Sequence, residues 1–422
     1  MAARSRPRRI VPADGVSEAS RQIDEEEILM TTLVTEGMTA PEELVAPVAA
    51  DIRAMAAQTE AERRLPNELL ARLTEAGLFS IYTPKEFGGL GLPLPEALRI
   101  VEEVSRHDGS TGWTVALGFA NGYFTAVLPE AAAATVLGDG SALIAGAPAF
   151  GVRATPIDGG YRLTGRWPYN SGAPNATWVG AAAPIFDGDA PRLGEGGQPE
   201  MVFFFIPQAD AQIVDTWYVT GLRGSGTQDL FVENVFVAHD MTGGFSIPAG
   251  PRPVRDCPLA DVPFFSLLGI VQSPPVSLGL ARRAIEEFRE IALTKENAFG
   301  PPLRDQVQAH AGLARAEALV RSARTYWYET VRAIWDVSHQ RELSLEERAD
   351  LRLACLTAVE NSVAAADLLY RLAGTTAIFQ SSPLERCWRD VHTAAQHMQV
   401  QDSRWETAGR VLLGLDPGSP LL

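Results

Sequence analysis

The sequence predicts a mainly α-helical protein with a central β-barrel: a helical N-terminal domain, a middle β domain and a C-terminal four-helix bundle. Three observations carry this. Apolar residues recur at helical spacing towards both ends of the chain, they alternate with period two in its middle, and the long C-terminal helical segments are joined by short polar or Pro-containing loops. A chain of 422 residues, 46% of them hydrophobic, is long enough to bury a full core in two or three units.

The first helical text is LPNELLARLTEAGLF, Leu65 to Phe79, with Gly77 suited to a C-terminal stop. LPEALRIVEEVSR follows as a second helix, and PKEFGGLGLP between them is turn chemistry: its glycines follow no strand, as a dinucleotide fingerprint requires. The character changes at about Leu143. GGYRLTGRWPYNSG starts on a turn and then alternates, MVFFFIP is a short buried strand, and QDLFVENVFV alternates again. After the Pro-rich connector PAGPRPVRDCPLADVP, four helical segments follow, beginning at SLGLARRAIEEF, QVQAHAGLARAEA, LEERADLRLACL and PLERCWRDVHTAAQHM. The expected divisions are a mobile tail over 1–40, helical 41–142, β 143–245 and bundle 246–422.

The charge balance narrows the function classes. Lys plus Arg number 36 against 52 Asp plus Glu, and the net charge of −16 disfavours nucleic acid and anionic membrane as partners. Small molecules or other proteins are expected instead. Cys257, Cys355 and Cys387 form no CxxC pair, which fits a reducing compartment and no zinc site. No apolar run approaches the roughly 18 residues of a membrane span, and the basic start MAARSRPRRIVPADG runs into SEASRQIDEEE rather than an apolar secretory segment. A cytoplasmic protein is expected.

Two stretches could carry chemistry. In RDVHTAAQHMQV, His392 and His397 are five apart, about 140° around a helix, so they cannot share a metal ion without distortion. Asp390, Thr393 and His397 share a helix face, where a carboxylate or hydroxyl could orient the imidazole. A histidine that simply meets solvent at a helix end is the plainer reading of this segment alone. In GRWPYNSGAPNATW, Trp167 and Ser171 sit where a strand must turn closely; a packed tryptophan and a turn serine are again the plain reading. Trp113 and Asn121 are candidate pocket residues or core, and His107, His239, His310 and His339 have no chemical neighbours in sequence. No GxSxG elbow supports a hydrolase.

In order and spacing, GGYRLTGRW, GLRGSGTQDLFVENVFV, NAFGPPLRDQ and AGTTAIFQSSPLERCWRD resemble the acyl-CoA dehydrogenase superfamily over about residues 45–415. The resemblance implies flavin bound between barrel and bundle, and a homotetramer. Where typical dehydrogenases carry a tyrosine, a catalytic glutamate and a glycine, this chain has His397, Met398 and Gln399. A methionine cannot abstract the α proton of a thioester, so simple dehydrogenation is disfavoured. AAQHMQV is instead similar to the two-component flavin-dependent monooxygenases built on this fold, which carry a histidine at the place of His397 and a serine at that of Ser171.

The expected function is thus a reduced-flavin-dependent monooxygenase. It would be the oxygenase component served by an NAD(P)H-dependent flavin reductase, using molecular oxygen and a flavin C4a-hydroperoxide to oxygenate a small aromatic or heteroaromatic substrate. His397 and Ser171 would be catalytic, with Trp167, Ser171, Phe299, Arg371, Gly374 and Thr375 at the cofactor. The dehydrogenases have an arginine where this chain has Glu296, and an acid there would repel a dinucleotide's phosphates. Arg371 stands where the family's glutamine lies near the phosphates, and its guanidinium suits the single phosphate of FMN or an ordinary ion pair. Reduced FMN is therefore expected ahead of reduced FAD. Two other readings stay open: an FAD-dependent dehydrogenase or oxidase with a different base, and a non-catalytic relative that keeps the fold for assembly or ligand binding.

Overall fold

The computed structural model describes residues 40–138, 140, 142–194, 197–297 and 300–422. The tail expected over 1–40 lies, up to residue 39, outside the described residues, as does Phe299.

The described chain opens on α1 (Pro41–Glu62), α2 (Asn67–Glu75), α3 (Leu94–His107), α4 (Gly109–Ala116), α5 (Phe119–Tyr123) and α6 (Glu130–Leu137). α2 gives way to Gly77 at φ +71°, a left-handed stop that glycine adopts freely. α3 buries Leu94, Ala97, Leu98, Val101 and Val104, the three-and-four spacing that forms one apolar stripe. α4 is different: GSTGWTVA is buried on every side, so it shows no stripe. Its start is held by Asp108, whose carboxylate accepts from Thr111 N at 2.8 Å.

The middle holds β1 (Ile144–Ala145), β2 (Val152–Ile157), β3 (Gly160–Asn170), β4 (Trp178–Pro184), β5 (Phe186–Asp187), β6 (Ala190–Pro191), β7 (Met201–Pro207), β8 (Gln212–Val214), β9 (Gln228–Ala238), β10 (Thr242–Ser246) and β11 (Gly250–Pro251). Where the sequence suggested a barrel, pairing divides the strands into a five-stranded sheet, β1-β4-β7-β10-β11, and a four-stranded sheet, β2-β3-β9-β8, with β5 and β6 as a separate hairpin. β7, MVFFFIP, is buried from Met201 to Ile206, as a continuous apolar run requires. Trp167, Val179, Phe204 and Leu230 belong to the core shared by the two larger sheets.

Helices then return as α7 (Phe264–Val271), α8 (Ser273–Thr294), α9 (Val307–Ser338), α10 (Leu345–Ala373), α11 (Pro383–Ala394) and α12 (Ser403–Leu412). α10 begins on a capping box between Ser344 and Glu347. Phe264–Thr294 and Leu345–Ile378 are long and apolar enough to cross a membrane, yet 94% and 50% of their most apolar windows are buried inside the protein. The first is a core segment: its α8 packs against α3, α10 and α11. α11 stops at Ala394, so His397 lies in the turn beyond it. The helical face expected to join Asp390, Thr393 and His397 therefore ends before it reaches the imidazole.

The segment 221–227, GLRGSGT, is wedged among these elements. Leu222 N donates to Asp390 Oδ1 on α11 at 2.6 Å, and Gly224 N donates to Ser110 Oγ on α4 at 3.1 Å. A Cβ on Gly221 would stand 2.2 Å from the Arg389 carbonyl oxygen, a backbone atom that cannot swing aside. Gly221→Ala should accordingly cost about 1–3 kcal/mol of stability by overpacking, seen as a lower urea midpoint; an unchanged midpoint would mean that the wedge is loose.

Candidate active site

The end of β3 shapes one side of the site. Its register with β9 runs Trp167 opposite Leu230 and Asn170 opposite Gln228, with a shift between them. That irregularity leaves Tyr169 at φ +64°, with its side chain 68% exposed. A left-handed tyrosine is a conformation that the surrounding fold must enforce. Trp167 faces the other way. It is fully buried, edge-on to Phe204 with ring centroids 6.2 Å apart, and has no exposed face to offer an isoalloxazine. Strand alternation turns its ring into the β core.

Ser171 is buried just past β3, and its hydroxyl is the meeting point of remote segments. Trp113 Nε1, from α4, donates to Ser171 Oγ at 3.0 Å. Thr227 Oγ1 lies 2.9 Å from the same oxygen, and Ser225 Oγ lies 2.8 Å from Thr227 Oγ1. On its other side, the indole of Trp113 meets the imidazole of His397 edge to face, with centroids 5.8 Å apart. Ser171, Trp113 and His397, drawn from the β domain, the first helices and the turn after α11, therefore form one connected group.

The turn bearing His397 is held from beneath. Arg352, buried on α10, donates to the Gln399 carbonyl at 2.6 Å and to Gln399 Oε1 at 2.9 Å, while Arg404 Nε donates to the Met398 carbonyl at 3.0 Å. Neither arginine was singled out in the sequence, where a lone Arg on a helix carries no signal. Burial, then the cations Arg352 and Arg404, push the His397 imidazole down to about 4. It is neutral at ordinary pH, and its buried Nδ1 has no hydrogen-bond partner. Asp390 Oδ1 is occupied by Leu222 N, and the Thr393 hydroxyl donates to the Arg389 carbonyl, so neither orients the imidazole.

The remaining candidates lie elsewhere. Asn121 donates through Nδ2 to the carbonyls of Phe79 and Ala142, at 3.0 and 2.8 Å, and braces two chain segments. Arg371, Gly374 and Thr375 are exposed at the end of α10, and Arg371 Nε donates to the Asp367 carbonyl of its own helix. Lys295 Nζ donates to the Ala373 carbonyl beside them at 2.7 Å. Glu296 is paired with Arg304 at 2.9 Å, so its charge is locally cancelled and the electrostatic argument against a dinucleotide weakens. Met398, at the place of the dehydrogenases' glutamate, is 44% exposed. What the group offers chemically is a hydroxyl, an indole and a neutral imidazole, with no carboxylate bonded to any of them among the described residues.

The chain has counterparts among known proteins. Residues 40–132 match the acyl-CoA dehydrogenase N-terminal domain and residues 271–402 the acyl-CoA dehydrogenase C-terminal domain. The chain is 31% identical over 369 residues to indole-3-acetate monooxygenase of Pseudomonas putida, covering 86% of this chain and 91% of that protein. It is 31% identical over 393 residues to the oxygenase component of the FADH2-dependent resorcinol hydroxylase of a Rhizobium species, covering 88% and 94%. Among solved structures, XiaF from Streptomyces in complex with FADH2 and glycerol superposes with a TM-score of 0.81 at 25% identity, over 96% of this chain and all of that one.

The depressed imidazole makes stability depend on acid. Between about pH 6.5 and pH 4 the unfolded histidine takes a proton that the folded one refuses, so stability falls as pH falls through that window. Asp390, pushed up to about 7 by burial and then by Asp108, acts with the opposite sign. Its effect cancels when wild type is compared with His397→Gln. From pH 7 to pH 4.5 wild type should lose more stability than the variant, by on the order of 3 kcal/mol at most. Urea unfolding at both pH values checks this, and parallel losses would show that the imidazole is not held neutral.

Proposed function

From the premise that this chain belongs to the acyl-CoA dehydrogenase family, among its flavin-dependent monooxygenases, we propose that Ser171, Trp113 and His397 are the face at which reduced flavin and an aromatic substrate meet. The enzyme is an oxygenase component, and a separate NAD(P)H-dependent reductase supplies its reduced flavin, with molecular oxygen as cosubstrate. The observation that carries the assignment is the 3.0 Å bond from Trp113 Nε1 to Ser171 Oγ, with His397 packed on the same indole. It ties together the two residues whose types distinguish this branch from the dehydrogenases.

The residues fit such a cofactor. A buried imidazole nitrogen without a partner and a serine at the end of a hydroxyl chain are polar groups beside aromatic surface, which suits a polar heteroaromatic ring. When bound, the flavin supplies the oxygen-transfer chemistry, and the protein orients the reactants and excludes water. Ser171 would hydrogen-bond the ring near N5. Tyr169, exposed two residues before it, would take the ring-packing place expected of Trp167. His397 would hydrogen-bond the transferred oxygen or the hydroxyl or ring N–H of the substrate; a negative charge arriving beside it raises its proton affinity towards working pH.

FADH2 is the flavin we assign, because Glu296 is neutralised by Arg304 and because FADH2 is named for the Rhizobium and Streptomyces relatives. Lys295, Arg371, Gly374 and Thr375 supply a cationic, open end of α10 suited to phosphate. We also infer a homotetramer, whose contacts would cover Ile378 and Phe379, 60% and 61% exposed next to that end. A cytoplasmic location follows from the dependence on a reductase and from three unpaired cysteines. The substrate would be an indole or a phenol, the classes named for the Pseudomonas and Rhizobium relatives.

The test supplies the purified protein with a flavin reductase, NADH and FAD or FMN, against a panel of indoles and phenols, recording product and hydrogen peroxide. Wild type should form product with FAD ahead of FMN. Ser171→Ala should shift several-fold more of the consumed NADH into hydrogen peroxide, and His397→Ala should lower the product rate by about 100-fold. Unchanged coupling and rate in both variants would remove these residues from the site. Turnover of acyl-CoA without a reductase would point back to a dehydrogenase.

A further inference from the structure

Ser171 does not stand alone. Behind it, Thr227 Oγ1 is 2.9 Å from Ser171 Oγ, and Ser225 Oγ is 2.8 Å from Thr227 Oγ1, all three hydroxyls being buried. A hydroxyl has one proton and two lone pairs. Trp113 Nε1 can only donate, so it permanently occupies one lone pair of Ser171 Oγ. What Ser171 presents to a ligand is then decided by Thr227. If Thr227 donates to Ser171, both lone pairs of Ser171 are filled and its proton points outward. If Thr227 accepts from Ser171 and donates its own hydrogen bond to Ser225, Ser171 keeps one lone pair free and presents an acceptor.

We propose that Thr227 is a positioning residue: with Ser225 it forms a reversible hydroxyl relay that lets Ser171 match either redox form of the flavin. This rests on the reading that Ser171 faces the flavin near N5. N5 of oxidised flavin is an acceptor and calls for the outward proton. N5–H of reduced flavin is a donor and calls for the free lone pair, which Ser171 offers with its own proton satisfied only while Thr227 accepts its hydrogen bond. No covalent bond changes in the switch, since each hydroxyl rotates and keeps its own hydrogen. The relay is held in register by its neighbours: Gly172 N donates to the Ser225 carbonyl at 2.8 Å, and Gly224 N is anchored on Ser110.

Removing the Thr227 hydroxyl has a signed consequence. In Thr227→Val, a bound reduced flavin leaves either its own N–H or the Ser171 proton buried without an acceptor, whereas oxidised flavin still receives the Ser171 proton. The experiment measures dissociation constants of anaerobic FADH2 and of oxidised FAD for the full-length protein by flavin fluorescence. Thr227→Val should weaken FADH2 by about threefold to tenfold and FAD by less than about twofold, and Thr227→Ser should restore both values. Thr227→Ala, which cannot overfill the space, should behave like Thr227→Val and serves if the valine protein does not fold. Ser171→Ala separates the two ideas. If it changes flavin affinity while the Thr227 variants shift both redox forms equally or not at all, the relay is overturned and the site reading stands. If Ser171→Ala binds both forms like wild type, the placement of Ser171 at the flavin falls, and the relay with it.

Discussion

The site depends on one contact made far from any reacting atom: the 2.6 Å hydrogen bond from Leu222 N to the buried carboxylate of Asp390. It pulls the segment 221–227 onto α11, where Gly221 lies against the Arg389 carbonyl and Leu222 takes a left-handed turn at φ +48°. From there the segment reaches α4 through Ser110 and the end of β3 through Gly172. The N-terminal helices, the sheets and the bundle thus share one seam. Burial raises the proton affinity of Asp390, then Asp108 beside it adds to this, while the Leu222 N–H favours the charged form. A partner with a backbone donor is what makes a carboxylate tolerable at that depth.

Above the seam, the chemistry is set by what the site lacks as much as by what it holds. Where a dehydrogenase would place a carboxylate to take a proton, this chain has Met398 turned to the surface. The neighbouring His397 is kept neutral by burial and by two cations behind it, Arg352 and Arg404. Those cations also hold the carbonyls of Gln399 and Met398, so the electrostatic bias and the placement of the turn have the same origin. With two cations behind a neutral imidazole, the surroundings of His397 are electropositive and partly apolar.

Much of this was legible in the residues. Helical, then alternating, then helical patterning states which parts of the chain form which layers, because burial of one face imposes those periods wherever it occurs. The types of Ser171, His397 and Met398 pointed to oxygenation over dehydrogenation, since the side chains themselves decide which proton transfers are available. What the residues left open was local phase. Trp167 and Tyr169 lie two apart in one strand, and only the irregular register against β9 shows that the first turns into the core and the second outward. The end of α11 at Ala394 likewise dissolved a helical face that spacing alone had drawn through His397.

By itself, then, the sequence determined the layer order and the chemical character of the candidate side chains, both properties of single residues or short periods. Tertiary structure alone decided that Trp113, 58 positions from Ser171 in the chain, donates to its hydroxyl, and that Thr227 and Ser225 stand behind it. It also decided that the imidazole is buried and that an unremarked Arg352, which holds the Gln399 carbonyl, adds to the effect of that burial. The reason is physical: hydrogen-bond direction and buried charge depend on distances of about 3 Å between segments far apart in the chain, and no pattern along one segment encodes the approach of another.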